Sequence, residues 1–389
     1  MGKLPDFRDL AEELRSWRRD LHAHPELAFE EHRTAGIVAD KLRAFGLDEV
    51  HEGIGKTGVV GVLRGSGDGN RAIGLRADMD ALPMTELAER GHASTHDGRM
   101  HACGHDGHTV MLLGAARHLA ATRGFDGTLY FIFQPAEEGA GGGRAMVEDG
   151  LFERFPMEAV FGLHNWPGLP AGEIAVRAGP MMASMDNFRI VVTGKGAHAA
   201  MPHLGTDPVL PAAQIVLALQ GLVSRETEPT RALVVSVTQI HGGEADNVIP
   251  EAVELRGTVR AFDEGVRRHA ETAMGRIVAS TAAAFGATAE LHYSRHYPPT
   301  VNSVEETEFA AEIAAEVAGA EGVRRDLPPS MGAEDFAFML QERPGCYVWL
   351  GGGRDSRPLH NPYYDFNDEI LPVGVRYWTT LAARALPRR

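Results

Sequence analysis

Residue types that bind metal ions or transfer protons recur where predicted strands end. They are Asp78, Asp80, Glu137, Glu138, His164 and His360. In an open parallel sheet the carboxyl ends of the strands meet at one edge, so side chains far apart in sequence converge there. Carboxylates and imidazoles that meet can hold a divalent metal ion, and a further carboxylate beside them can act as a general base. The pattern indicates a site that could bind metal ions and transfer protons.

A cysteine and a histidine two residues apart add to this set. In an extended segment, residues i and i+2 face the same side, so Cys103 and His105 could bind one metal cluster. The neighbouring His101, Asp106 and His108 are weaker candidates. Each residue alone also has an ordinary role, since lone cysteines are usually small buried apolar residues and paired glutamates are usually solvated. The coincidence of several such groups at predicted strand ends favours a shared site.

Composition and charge exclude several classes of protein. The chain has 389 residues, of which 44% are hydrophobic and 23% charged, as in a globular protein of about two domains. The net charge of −15 is spread along the sequence, so we expect no nucleic-acid partner, because binding a polyanion requires a basic face. The two cysteines, Cys103 and Cys346, cannot form a disulfide scaffold, and a bridge between them is not expected in a reducing compartment.

Nothing in the sequence predicts membrane insertion or export. The start of the chain is charged and amphipathic and lacks the apolar core of a signal peptide. The most apolar long run, residues 209–223, contains two glutamines and is too short to cross a bilayer. We therefore expect a cytoplasmic protein.

Alternating helical and strand patterns in both ends of the chain predict an α/β domain with a mostly parallel sheet and helices on both faces. The predicted helices cover residues 7–20, 29–45, 108–123, 304–318 and 368–385. The predicted strands cover residues 57–64, 71–77, 128–133, 159–163 and 347–350.

The order of predicted strands and helices changes in the middle of the chain. Strand, helix, two strands, helix and strand follow one another, which is the split β-α-β order of a ferredoxin-like α+β domain. We therefore expect a discontinuous catalytic domain, residues 1–183 and 298–389, with a smaller domain, residues 184–297, inserted into it.

Five segments resemble the M20 metallopeptidase clan in their order and spacing. They are Arg76-Ala-Asp-Met-Asp-Ala-Leu-Pro83, His101-Ala-Cys-Gly-His-Asp-Gly-His108, Gln134-Pro-Ala-Glu-Glu-Gly139, Gly162-Leu-His-Asn-Trp166 and Gly194-Lys-Gly-Ala-His-Ala199. The resemblance covers nearly the whole chain, and is strongest to the amidohydrolase branch, which contains hippurate hydrolases, N-acyl-amino-acid amidohydrolases and indole-acetyl-amino-acid hydrolases. It implies a catalytic domain with an inserted lid used for dimerisation.

The resemblance also implies roles for individual residues. The implied ligands of a two-metal centre are Cys103, His105, Glu138, His164 and His360. Glu137 resembles the general base, and Asp80 the carboxylate that orients a metal-binding histidine. Asp78 and Cys103 stand where most of the clan carries a ligand histidine and a bridging aspartate. These departures are usual for the amidohydrolase branch, and they leave manganese, zinc, cobalt and nickel open, because thiolate favours softer ions than carboxylate does.

Two further residues gain roles only from the resemblance. His198 follows the first strand of the inserted domain and resembles a histidine that reaches the active site of a neighbouring subunit in dimeric relatives. Asn247, in Asp246-Asn-Val-Ile-Pro250, resembles a residue that contacts substrate from the lid. On the sequence alone they would be a surface histidine and a turn asparagine. We expect a homodimer or homotetramer formed through the lid.

The expected reaction is hydrolysis of the amide bond in an N-acyl amino acid. It requires an activated water, a polarised carbonyl and a proton for the leaving amine, which a metal pair and a carboxylate can provide. Three alternatives remain: a hydrolase with Cys103 as nucleophile and His105 as base, a dipeptidase or aminoacyl peptidase of the same clan, and a metal-binding protein without catalysis. The first leaves Glu138, His164 and His360 without a role.

Overall fold

The structure is a computed structural model that describes residues 7–388. Its helices are α1 (Ala11–Ala23), α2 (His32–Phe45), α3 (His105–Thr122), α4 (Gly142–Glu148), α5 (Leu151–Arg154), α6 (Val209–Gly221), α7 (Glu264–Ala284), α8 (Val304–Ala318), α9 (Ala337–Glu342) and α10 (Leu371–Ala385). Its strands are β1 (Glu49–Ile54), β2 (Gly58–Arg64), β3 (Ala72–Asp78), β4 (Thr128–Gln134), β5 (Ala159–Pro167), β6 (Ile174–Ala175), β7 (Gly179–Met182), β8 (Met185–Thr193), β9 (Ala197–His198), β10 (Leu233–His241), β11 (Val248–Ile249), β12 (Ala252–Ala261), β13 (Thr288–Tyr297), β14 (Thr300–Asn302), β15 (Val323–Arg324) and β16 (Gly345–Gly353).

The described chain forms two compact units. The first contains residues 7–179, 301–328 and 335–388, and the second contains residues 180–300 and 329–334. The predicted boundaries lie within a few residues of the main junctions, although residues 1–6 and 389 of the predicted catalytic domain lie outside the described residues. The sequence gives no sign that residues 329–334 join the second unit. They do so because the backbone N–H of Ala183 donates to the carbonyl oxygens of Ser330 and Gly332.

The first unit is built on an eight-stranded sheet in the order β1-β2-β4-β3-β5-β16-β6-β15. The central strands β4, β3, β5 and β16 are parallel neighbours. Strands β2, β3, β4 and β16 are buried along almost their whole length rather than on alternate residues, which means that both faces of the sheet are covered. Phe131, Leu75, Val348, Leu112 and Trp378 belong to this core. The predicted α/β architecture is confirmed.

The second unit is a four-stranded antiparallel sheet in the order β10-β12-β8-β13 with helices α6 and α7. Burial alternates along β8, so one face of the sheet packs on the core and the other does not. The core includes Ile190, Leu255, Ile215 and Met274. The chain order β8-α6-β10-β12-α7-β13 confirms the predicted ferredoxin-like pattern.

Strand β1 was not predicted. It pairs only with β2, at the edge of the sheet, and its sequence Glu-Val-His-Glu-Gly-Ile carries three ionisable residues on largely exposed positions. Edge strands of this composition lack the apolar signal that identifies a buried strand. No helix in the described part of the chain is both long and apolar enough to span a bilayer.

Candidate metal centre

The carboxyl ends of four neighbouring strands carry the predicted ligand residues of the first unit. Asp78 is the last residue of β3, Glu137 and Glu138 follow β4, and His360 lies in the loop after β16. His164 was expected just after a strand, but it lies inside β5. The strand is longer than predicted because β16 continues beside it, with Trp349 paired to His164. The topology therefore brings all four segments to one edge of the sheet.

Cys103 and His105 reach the same place by a different route from the one predicted. The segment is not extended, because Gly104 has a φ of 96° and α3 begins at His105. A Cβ at Gly104 would lie 2.3 Å from the side-chain nitrogen of Asn165, so a side chain does not fit in this turn. The turn nevertheless leaves Cys103 and His105 with ligand atoms within 4.8 Å of each other and of His164.

The five predicted ligands form two overlapping groups that share the thiol. Cys103, His105 and His164 form one group, and Cys103, Glu138 and His360 form the other; within each group the ligand atoms lie within 4.8 Å of one another. Sγ of Cys103 lies 3.4 Å from Nε2 of His164. Nε2 of His360 lies 3.2 Å from Oε1 of Glu138. One sulfur, one carboxylate and three imidazoles therefore meet at this edge of the sheet.

The buried ring of His105 has a nitrogen oriented for a metal ion. Its Nδ1 lies 2.9 Å from the backbone oxygen of Asp80 and 3.1 Å from Oδ1 of the same residue, so Nδ1 carries the proton and donates it. Nε2 has no hydrogen-bond partner within residues 7–388, and lies 4.0 Å from Oε1 of Glu138. In metal-binding histidines, one ring nitrogen typically donates to a carboxylate or backbone oxygen, and the other is left to bind the metal ion. The buried ring of His105 has this arrangement. The residues present therefore fit a metal ion.

His164 offers Nε2 for the same reason. Its Nδ1 donates to the backbone oxygen of Asn165 at 2.6 Å, which leaves Nε2 facing the thiol of Cys103. Burial and the neighbouring ring of His108 hold the pKa of His164 well below its usual value. The imidazole is therefore neutral, as a metal ligand must be.

Asp78 and His108 are hydrogen-bonded to each other, and with His105 they form a further group of possible ligand atoms beside the first two. Oδ1 of Asp78 accepts from Nδ1 of His108 at 2.6 Å, and Oδ2 accepts from Arg76 at 2.6 Å. Nε2 of His108 accepts the backbone N–H of Asn165 at 2.9 Å, so both ring nitrogens are engaged. Burial alone would raise the pKa of Asp78, but the nearby imidazole of His105, the guanidinium of Arg76 and the hydrogen bond from His108 outweigh it and hold that pKa well below its usual value.

The other weak candidates lie apart from the ligand groups found in the described chain. Asp106 accepts from Nδ1 of His22 at 2.9 Å and pairs with Arg18. His101 is fully buried, and its burial lowers its pKa to about 4.

The thiol environment does not suit a nucleophile. Burial and the nearby carboxylates of Glu138 and Glu137 raise the pKa of Cys103 well above its usual value. Nucleophilic cysteines require a lowered pKa, which comes from positive charges. The proposed base of that alternative, His105, donates its Nδ1 proton to Asp80. A divalent cation would supply the positive charge that this thiol needs to ionise.

Glu137 and Glu138 are adjacent, yet they differ in their contacts. Both lie within 4.8 Å of His105, measured between ligand atoms. Oε1 of Glu137 lies 3.4 Å from the backbone N–H of Asp335, whereas Glu138 contacts His360. This separation allows one carboxylate to bind a cation while the other remains beside it.

His198 and Asn247 lie together in the second unit. His198 is in β9, where it pairs with Val248 of β11, and the backbone oxygen of Asn247 accepts from Ala199 at 3.0 Å. The backbone N–H of Ala200 donates to Nδ1 of His198 at 3.1 Å. Nε2 therefore carries a proton, and the exposed side chain can donate from it.

Asn165 is a site residue that sequence reasoning missed. Its side-chain nitrogen donates to the backbone oxygen of Cys103 at 2.7 Å, and its Oδ1 accepts from the hydroxyl of Tyr364 at 2.6 Å. It thus ties β5 to the turn that carries Cys103. A signal was present, since an asparagine within a buried strand must find hydrogen-bond partners.

Comparison with known proteins identifies relatives over the whole length of the chain. Residues 74–384 match the model of peptidase family M20/M25/M40. A hippurate hydrolase of Campylobacter jejuni is 42% identical over 99% of this chain and 100% of its own. An N-acetylcysteine deacetylase of Bacillus subtilis is 40% identical over 95% of this chain and 96% of its own.

A solved structure extends the likeness to the fold. A protein of Bacillus subtilis, described as a dinuclear metal-binding peptidase from the M20 family, is 37% identical and superposes with a TM-score of 0.85 over 97% of this chain and 99% of its own. Family match, relatives and fold agree with one another, and they confirm the family that the sequence motifs indicated. The chain belongs to peptidase family M20/M25/M40.

Proposed function

We propose that the chain is a metal-dependent amidohydrolase that cleaves N-acyl amino acids into a carboxylic acid and a free amino acid. The observation that carries the proposal is the cluster of Cys103, His105, Glu138, His164 and His360, with the carboxylate of Glu137 beside it. The names of the hippurate hydrolase and the N-acetylcysteine deacetylase support it, because both proteins act on N-acyl amino acids.

The cluster fits two divalent ions per subunit. His105 and His164 would hold one, Glu138 and His360 the other, and Cys103 lies where it can serve both. The dinuclear relative supports this number. Thiolate and imidazole favour zinc, cobalt or nickel, whereas carboxylate favours manganese, so the donor set admits all four. When bound, such ions supply a water of lowered pKa and polarise the substrate carbonyl.

The protein groups supply the proton transfers. Glu137 accepts a proton from the attacking water at its carboxylate and returns it to the nitrogen of the leaving amino acid. Asp80 holds the ring of His105, and its Oδ2 accepts the backbone N–H of Glu138 at 2.9 Å, so a single carboxylate fixes two of the ligands. Carboxylates that hydrogen-bond to metal-binding residues keep those residues in one orientation.

We also propose that the second unit forms the dimer and supplies His198 and Asn247 to substrate. Helix α6 is apolar on all sides, and Leu210 and Leu217 on it are exposed, as is Ile240 on the edge strand β10. Helices that are apolar all round are normally buried, which supports a partner subunit here. A cytoplasmic location is part of the proposal, since a metal-binding thiol must remain reduced.

A metal-exchange assay with a substrate panel tests the function. The protein is stripped with a chelator, reconstituted with manganese, zinc, cobalt or nickel, and assayed on benzoylglycine, N-acetyl and indole-acetyl amino acids, and dipeptides. We expect turnover to disappear with the metal, return on its addition, and favour N-acyl amino acids. Faster turnover of dipeptides would indicate the peptidase alternative. Metal binding without turnover on any substrate would indicate a binding protein, and activity that survives stripping but not thiol alkylation would indicate the cysteine nucleophile.

A further inference from the structure

A buried carboxylate outside the ligand cluster lies among strained residues. In the described chain, five residues other than glycine have a positive φ, and three of them surround Glu31: Phe29 at 63°, Lys56 at 83° and Ala136 at 54°. Left-handed backbone is costly for residues with a Cβ, and it persists only where the surroundings enforce it. Such residues cluster at functional sites. The presence of three such residues around the side chain of Glu31 therefore requires an explanation.

Glu31 provides the hydrogen bonds that hold these segments. Its Oε1 accepts the backbone N–H of Phe29 at 3.0 Å and that of Ala136 at 2.9 Å. Its Oε2 accepts the hydroxyl of Thr57 at 2.5 Å, and Lys56 is the preceding residue. Glu31 has no exposed surface, and hydrogen bonds from N–H groups to a buried carboxylate are among the stronger ones in proteins.

The bond to Ala136 acts directly on the two glutamates. Ala136 lies between strand β4 and Glu137, and its carbonyl oxygen accepts the backbone N–H of Gly142 at 2.9 Å. The backbone of Ala136 is therefore fixed on both sides, by Glu31 at its nitrogen and by Gly142 at its oxygen. The sign of φ at residue 136 sets the direction in which the chain leaves β4, and hence where the carboxylates of Glu137 and Glu138 lie.

We infer that Glu31 is a positioning residue that holds Ala136 in its left-handed conformation and so places Glu137 and Glu138 at the metal cluster. The inference rests on the proposed function of that cluster. Glu31 itself contacts neither ligand group, and acts through the peptide of Ala136. This role requires no contact between Glu31 and the substrate.

The strain at Ala136 gives a test that separates positioning from a merely structural role. Glycine adopts positive φ without a steric cost, so Ala136→Gly should keep the turn even when Glu31 is removed. A general loss of packing around residue 31 would not be repaired by this change. Lys56→Gly is the matched control, because it relieves the same kind of strain at a residue near Glu31 that does not lead into the glutamates.

The experiment compares Glu31→Ala, Glu31→Gln, and Glu31→Ala combined with Ala136→Gly or with Lys56→Gly. Affinity for cobalt is measured by titration of the metal-free protein without substrate, and kcat and KM are measured after reconstitution. We expect Glu31→Ala to lose about 10- to 100-fold in metal affinity, the usual cost of changing a residue that holds metal-binding side chains in place. We expect a lower kcat with a similar KM. Glu31→Gln should retain most of both, since its carbonyl oxygen can still accept from Ala136.

The two double variants distinguish positioning from a merely structural role of Glu31. Recovery of metal affinity and kcat by Ala136→Gly, but not by Lys56→Gly, supports positioning. Equal recovery by both glycine changes, recovery by neither, or a Glu31→Ala variant that binds cobalt like the unmodified protein would overturn it. If Glu31→Ala does not fold, Thr57→Val replaces it, because it removes the donor to Oε2, and its smaller loss should show the same selective recovery. Absence of turnover in the unmodified protein would refute the proposed function while the cobalt titrations still decide the role of Glu31.

Discussion

The carboxylate of Asp80 lies 3.1 Å from Nδ1 of His105, and its other oxygen accepts the backbone N–H of Glu138 at 2.9 Å. One side chain therefore orients the imidazole and fixes the peptide of the carboxylate that we propose as metal ligands. His105 belongs to the first ligand group and Glu138 to the second, so Asp80 couples the geometry of the two groups.

Asp80→Asn should weaken metal binding about 10- to 100-fold. Asparagine can still accept from His105 with its oxygen, but its NH₂ group then faces the N–H of Glu138, and two donors cannot bond. Isothermal titration of the metal-free protein with zinc or manganese measures the change. Asp97→Asn, at an exposed position, is the control and should bind metal normally. Unchanged affinity in Asp80→Asn would remove this residue from the site.

Glu137→Gln should keep metal and lose turnover, whereas Glu138→Ala should lose metal. Removal of a general base typically costs about 10² to 10⁴ in rate, while removal of a ligand oxygen lowers the affinity for the ion. Metal content per subunit and kcat, measured on the same preparations, separate the two effects. An equal fall of metal content in both variants would mean that the assignment of roles is wrong or that both glutamates are ligands.

The ion pair of His22 and Asp106 should make the free energy of unfolding fall as the pH rises into the alkaline range. Burial alone would lower the pKa of His22, but its hydrogen bonds to Asp106 and Glu86 outweigh this effect and raise it from 6.5 to about 9. The folded protein then binds a proton that the unfolded chain has released, so the contribution is complete below pH 6.5 and is lost as pH rises through about 9.

We therefore expect the thermal midpoint to fall more steeply between pH 6.5 and 9 in the unmodified protein than in His22→Gln. Scanning calorimetry across this range measures both slopes. His24→Gln, at an exposed position in the same segment, is the control and should leave the steep slope unchanged. Parallel curves for the unmodified protein and His22→Gln would contradict the assignment.

His198 should act in the site of a neighbouring subunit. His198→Ala is expected to lose about 10² to 10³ in kcat, the usual cost of one donor to a developing oxyanion. Mixing it with Glu137→Gln should restore part of the activity, because one of the two sites in a mixed dimer then has both residues intact. No recovery after verified subunit exchange would mean that His198 acts in the site of its own chain or not in catalysis.

Asn247→Ala should raise KM and leave the metal content intact, which would assign that residue to substrate binding.

The sequence alone determined the family, the α/β architecture and the ferredoxin-like order of the second unit. These follow from local signals. Buried parallel strands are continuous apolar runs, and candidate ligands such as Glu138 and His164 lie near the carboxyl ends of these runs. Where a signal is local, in a turn or at a strand end, no knowledge of distant contacts is needed. The grouping of the ligands then follows from the topology, since parallel neighbours end at the same edge.

The tertiary structure decided the features that depend on distant partners. Cys103 and His105 converge through a left-handed turn at Gly104 and not through an extended segment, and Asn165 and Tyr364 fill the space that a side chain at residue 104 would need. Strand β5 extends past His164 because β16 pairs with it. The extension of β5 cannot be seen in its own residues, because it depends on the partner strand.

The conformation of Ala136 shows the physical reason most directly. Alanine disfavours positive φ, so its residue type predicts the opposite backbone from the one observed. The conformation is held by a hydrogen bond to Glu31, 105 residues earlier in the chain. The residue type sets the local backbone preference, but a hydrogen bond to a buried carboxylate can override it. Only the folded chain determines which backbone N–H the carboxylate of Glu31 accepts.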